Sequence, residues 1–182
     1  MEIVHSTEIK NVLTNLIVTP WPTTSLSVVL SRFNRDRETW EASEYCRRLI
    51  AALSSASIPH QVRNVVAFAC SSMNWKDDDN LSSHIQHALV LAIRDFFAQR
   101  ASSSIDCFAQ DPIYTEVDKK VLHKVGITVL DDPRAFLQVE DHSVVISVSP
   151  DIPLRQIIAD IARPSILLWD KVSQNEEEDT PE

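Results

Sequence analysis

The sequence predicts an α/β protein: a mainly parallel five-stranded sheet covered by helices on both faces. Two observations carry this. Five short apolar runs (NVVAF, IDCFA, ITVL, SVVISV and SILLW) are separated mostly by stretches with apolar residues at helical spacing. The first run continues as NVVAFAC, nearly unbroken, as expected of a strand buried on both faces. Crossovers between parallel strands are right-handed, which favours a doubly wound, Rossmann-like three-layer sandwich of strand order 3-2-1-4-5. A chain of 182 residues suits one such domain with short extensions. The division expected is an N-terminal arm over 1–35, the domain over 36–173 and a tail over 174–182.

The elements follow in chain order. Pro20, Trp21 and Pro22 belong to an extended arm, because two prolines flanking a tryptophan do not sit inside a helix. A helix is predicted over Arg37–Leu53, with Trp40, Tyr45, Leu49 and Leu53 on one face, covering the sheet or forming the face of a homodimer. Asn64–Cys70 is the first strand. Leu81–Gln99 is a helix carrying Leu81, Ile85, Ala88, Leu89, Ala92 and Phe96 at helical spacing. Ile105–Ala109 is the second strand. The next helix has both ends written out: Thr115 as N-cap with Asp118 three residues on, and Gly126 in the left-handed position past the last turn. Val117, Val121 and Val125 form its buried stripe. Ile127–Leu130 is the third strand, followed by a short helix or loop around Pro133–Leu137. Ser143–Val148 is the fourth strand. Asp151 can cap the last helix, with Pro153 in its first turn, and Ser165–Trp169 is the fifth strand. Val65, Val66, Ile105, Val144, Val145, Ile166 and Leu167 are expected in the core.

Composition narrows the function. The net charge is −9, and five acids (Glu176, Glu177, Glu178, Asp179 and Glu182) lie in the tail QNEEEDTPE, which reads as disordered and solvating. An acidic chain lacks the clustered positive field that nucleic acids and anionic membranes need, so neither is an expected partner. No stretch reaches the ~20 apolar residues of a membrane helix, and MEIVHSTEIK has neither the basic start nor the apolar run of a signal peptide. The three cysteines, Cys46, Cys70 and Cys107, form no CxxC pair, which fits a reduced cytoplasmic setting, with the nucleus as a second compartment. The single glycine, Gly126, excludes the glycine-rich phosphate loops of nucleotide-binding proteins. Asp77, Asp78 and Asp79 stand before the second helix, where they would repel phosphate. No cofactor and no metal are expected.

Ligands of such sheets bind beyond the strands' carboxyl ends, near the switch between strands one and four. The rim there is acidic and rich in hydroxyls: Ser71 and Ser72, Asp111, Asp131 and Asp132, Ser147, Ser149 and Asp151, and Asp170. Asp111 with Tyr114 is the only acid-plus-phenol pair at a strand end. Ser71, Asp111, Tyr114, Ser149 and Asp151 are expected to wall one cleft. His84 and His87 share a helix face at a metal-ligand spacing, but no HExxH completes it, and partly exposed helix histidines are the plainer reading. Cys70, between strand and helix, reads as a small buried residue rather than a nucleophile.

Residues from about Asn64 to Val172 resemble the Sensitivity to Red Light Reduced (SRR-like) domain family, in particular its fungal branch. The likeness rests on NVVAF, on the helix pattern of Ser82, Gln86, Ala88 and Leu89, on DPIYTEVDKKVLHKVGITVL, and on SVSPDIPLRQIIADIARPSILLWD. The resemblance implies a Rossmann-like fold and a regulatory role, with no established reaction, and Gln86 joins the expected ligand-binding set. The chain departs from the family at Ala69-Cys70-Ser71-Ser72, where many members carry glycine, and at Pro150-Asp151, where many carry Pro-His. The function expected on this basis is that of a small-molecule-binding regulatory domain. The alternative is a cofactor-independent isomerase, cyclase or hydrolase of fungal secondary metabolism, with Asp111 as base or acid and Tyr114 assisting.

Overall fold

The computed structural model describes residues 9–10, 17–18, 24–58, 61–74, 81–101, 103–148, 150 and 152–169. Its elements are β1 (Ile9–Lys10), β2 (Ile17–Val18), α1 (Leu26–Glu41), α2 (Glu44–Ser55), β3 (Asn64–Phe68), α3 (Leu81–Ala101), β4 (Asp106–Gln110), α4 (Glu116–Lys124), β5 (Thr128–Val129), a 3₁₀ turn (Arg134–Gln138), β6 (Ser143–Ser147), α5 (Leu154–Ile161) and β7 (Ile166–Leu168). β1 and β2 pair antiparallel as a separate ribbon.

The main sheet runs β5-β4-β3-β6-β7, with every neighbouring pair parallel. Counted along these five strands, this is the order 3-2-1-4-5. β3 and β6 lie at its centre, and all five residues of each are buried. That is why their sequences are continuously apolar, while β4 alternates more. One face packs on α1, α2, α3 and α4, through Phe33, Leu53, Leu91, Ile93, Val121 and Leu122. The other face packs on the 3₁₀ turn and α5, through Phe68, Phe136, Leu154 and Ile158. β7 is an edge, so Leu167 is 47% exposed and Ile166 only half-buried, unlike the largely buried pair expected.

The N-terminal helix also differs. In place of one helix over Arg37–Leu53 there are two, broken at Ala42 and Ser43. Ser43 caps α2 by accepting the Cys46 N–H at 3.3 Å, with Glu44 in the favourable first turn. The break turns Tyr45 outward, 76% exposed, so it does not share the buried face with Leu53. α1 begins at Leu26, capped by Ser25, so residues 26–35 belong to this 16-residue helix rather than to an arm. Val29 and Phe33, one turn apart, are buried in the core. Pro20, Trp21, Pro22 and the tail lie outside the described residues.

α4 has the ends its sequence encodes. Thr115 and Asp118 form a reciprocal capping box, and Gly126 takes φ +86° after the last turn. The Arg94 guanidinium donates to the Val125 carbonyl there at 2.9 Å.

Candidate functional site

The carboxyl ends of β3, β4 and β6 meet where crossovers leave the sheet toward opposite faces. The loop after β3 has an unusual backbone: Ala69 and Ser71 have φ of 54° and 64°. Neither residue favours the left-handed region, which costs a residue with a Cβ about 1–2 kcal/mol. Glycine would sit there freely, so the sequence offers no sign of this shape.

Two aspartates hold the loop. The Ser71 N–H donates to Oδ2 of Asp111 at 2.7 Å, and the Ile113 N–H donates to Oδ1 at 3.1 Å. Asp111 thus clamps the loop after β3 to the one after β4. Asp118 is completely buried. Its Oδ1 accepts the Met73 N–H at 2.9 Å, and its Oδ2 accepts the Ser72 hydroxyl, the Thr115 hydroxyl and the Thr115 N–H, each at 2.7 Å. The capping residue is therefore also the anchor of the β3 loop. The Ser71 and Met73 N–H groups of this loop are thus both taken by the chain's own carboxylates.

Beneath the loop runs a buried polar row. Ser83 donates to the Ser71 carbonyl at 2.9 Å. His87 has Nδ1 2.7 Å from the Ser83 carbonyl and Nε2 2.8 Å from the Tyr114 hydroxyl. A carbonyl only accepts, so Nδ1 carries the proton and Nε2 accepts the phenol's O–H. Burial pushes the His87 pKa down to about 4, so this ring is neutral near pH 7. Burial likewise raises the Tyr114 phenol well above its ordinary value and raises the Cys70 thiol. Tyr114 keeps its proton, and Cys70 is a buried thiol rather than a thiolate.

The histidines are not the partly exposed pair the sequence suggests: His84 is 2% exposed and His87 fully buried. They also face different partners. His84 reaches Asp36 on α1, with Nδ1 2.6 Å from Oδ2. Forty-eight residues separate the two, and nothing in the sequence marks the pairing.

Asp111 and Tyr114 share a small hollow of about 90 Å³ with Gln110, Lys119, Leu130 and Asp132. Gln110 spans it, donating to Asp132 at 2.7 Å and accepting the Ala135 N–H at 2.9 Å. The hollow opens between the loops after β4 and β5. Ser71 touches it only through Asp111, and Gln86 stands apart on α3, donating to Ser82 at 3.3 Å. Ser149, Asp151, Asp170 and the Asp77–Asp79 run lie outside the described residues. A larger groove of about 560 Å³ lies along α5 and β7, lined by Ile152, Arg155, Leu167 and Trp169. Among the described residues no group of three or more His, Cys, Asp or Glu is arranged to hold a metal ion, and no helix is long and apolar enough to cross a membrane.

The SRR1 domain family matches residues 42–181, more than half of the chain, and the chain belongs to that family. The match begins at the break between α1 and α2, so α1 lies before it. No curated protein and no solved structure matches the chain.

Proposed function

We propose that this SRR1-domain chain is a small-molecule-binding regulatory domain that uses no nucleotide cofactor. Its ligand is held at the carboxyl ends of β3, β4 and β6, with Ser71, Asp111, Tyr114, Ser149 and Asp151 as the contacting set, and Gln86, which stands apart on α3, left outside it. The observation that carries this reading is the strained loop after β3. Non-glycine residues in the left-handed region persist where surrounding bonds over-determine them, and such strain gathers at ligand sites. Here it sits at the switch point, held by Asp111 and Asp118. The hollow at Asp111 is well below the ~300–1,000 Å³ of a drug-sized site. It suits one polar end of a ligand, not a dinucleotide.

The acid–base reading draws less support. A Tyr114 phenol with a raised pKa is a poor proton donor near neutrality, and both Asp111 oxygens already accept backbone N–H groups.

The test is a thermal-shift panel of small polar molecules on the full chain, followed by Asp111→Asn on any that bind. The variant is expected to weaken binding by roughly 10–100-fold, the scale of one charged hydrogen bond. A modest fall in melting temperature accompanies it, because an amide nitrogen cannot accept an N–H. A lower melting temperature with unchanged affinity would make Asp111 a loop clamp and remove it from the site.

A further inference from the structure

The groove of about 560 Å³ between α5 and β7 lies at the carboxyl ends of β6 and β7. Small-molecule sites hold ~300–1,000 Å³, so this one is large enough where the hollow at Asp111 is not. The two share no lining residue.

The packing of α5 explains the space. Leu154 and Ile158 seat the helix on Val66 of β3 and Val145 of β6. Leu167 of β7 continues that row, in register with Val145, yet it stays exposed. Ala159, on the side of α5 that faces the groove, is too small to cover it. Trp169, two residues beyond Leu167, points to the same face and forms the end of the wall. β7 is the edge of the sheet, so among the described residues no further strand closes the outer side.

Two polar side chains stand in this apolar wall, Arg155 and Gln156. Among the described residues neither makes a hydrogen bond or ion pair through its side chain. Arg163, past the other end of α5, donates to the Ala162 carbonyl at 3.1 Å, where a cation suits the helix macrodipole. Arg155 is in the first turn, where the macrodipole opposes a cation. The stability of α5 therefore does not account for it. A guanidinium remains charged throughout the pH range of folded proteins.

We propose that this groove is a second binding site and takes an aromatic carboxylate, with the ring against Trp169 and Leu167 and the carboxylate on Arg155. A guanidinium fork matches the two oxygens of a carboxylate, and an aromatic ring packs offset or edge-on against an indole. Gln156 can donate to the same carboxylate. One guanidinium balances one negative charge. Asp151 and Asp170 adjoin the lining in sequence, outside the described residues, and carboxylates there oppose a doubly charged phosphate ester. The chain's own tail is a poor occupant, because residues 170–182 offer one large apolar side chain, Val172, among acids and other polar residues.

Calorimetric titration of the full chain tests the site with 2-naphthoate, its neutral amide 2-naphthamide, and 2-naphthyl phosphate. The acid is expected to bind saturably and the amide about tenfold more weakly, the difference made by one charged contact. Arg155→Gln, at an exposed position, is expected to bring the acid down to the affinity of the amide and leave the amide unchanged. Equal binding of acid and amide by the unaltered chain overturns the proposal, as does the absence of saturable binding by the acid. Tighter binding of 2-naphthyl phosphate than of the acid overturns it too. A second copy seated on the groove would show as a dimer in sedimentation that Leu167→Lys dissociates, with 2-naphthoate unbound, and that result also overturns it.

Discussion

Asp118→Ala is expected to destabilise the protein by about 3–5 kcal/mol, the range seen when a buried, fully bonded charge site is broken. The side chain is completely buried and accepts from four donors in two segments: Ser72, Met73, and both the backbone and hydroxyl of Thr115. Alanine leaves all four without their acceptor, and an unmet buried donor costs about 1–3 kcal/mol where water cannot reach it. One of these four, the Thr115 N–H, is the Asp118 half of the α4 capping box, while the Thr115 hydroxyl can still accept the N–H of residue 118. Urea unfolding of the full chain measures the loss directly. Glu116→Ala, on the exposed first turn of the same helix, serves as the control and should stay within roughly 0.5 kcal/mol. A loss of that small size for Asp118→Ala would mean that Asp118 does not anchor the loop after β3.

Phe33→Ala is expected to cost about 3–5 kcal/mol, the usual range for emptying a buried aromatic site. Phe33 is fully buried, packs with the sheet-facing core and meets the His84 ring edge-on at 5.9 Å between centroids. Were residues up to 35 a detached arm, the change would be within about 0.5 kcal/mol. Thermal unfolding separates these outcomes, because 3 kcal/mol lowers the melting temperature of a domain this size by roughly 6–12 °C.

Elements with a strong local signal were legible in the sequence. The helix of Leu81, Ile85 and Ala88, the Thr115–Asp118 box, Gly126 and the central strands each carry their cause within a few residues. α1 was not legible from Leu26 onward, because its middle, RFNRDRETW, is charged on most faces and only Val29 and Phe33 are fully buried. Its separation from α2 turns on Ser43 acting as a cap in the middle of an otherwise helical pattern. The site divides the same way. The rim position of Asp111 and Tyr114 follows from strand ends, which the sequence marks. The clamp from Asp111 to Ser71, the second role of Asp118 and the Asp36–His84 pair join residues 40 or more apart. Tertiary packing alone creates those contacts, so no local pattern announces them. The left-handed Ala69 and Ser71 were hidden for the opposite reason: their residue types argue against the conformation they adopt.

On the function proposed above, no nucleotide binds at the loop after β3, whose Ser71 and Met73 N–H groups are bonded to the chain's own carboxylates. Calorimetric titration of the full chain with NAD, NADP, FAD and ATP tests this directly. No binding at sub-millimolar concentration is expected, because Asp111 and Asp118 occupy the Ser71 and Met73 N–H groups and set negative charge at that position. Micromolar binding of any of the four would contradict it, since those carboxylates would have to yield the loop to a phosphate.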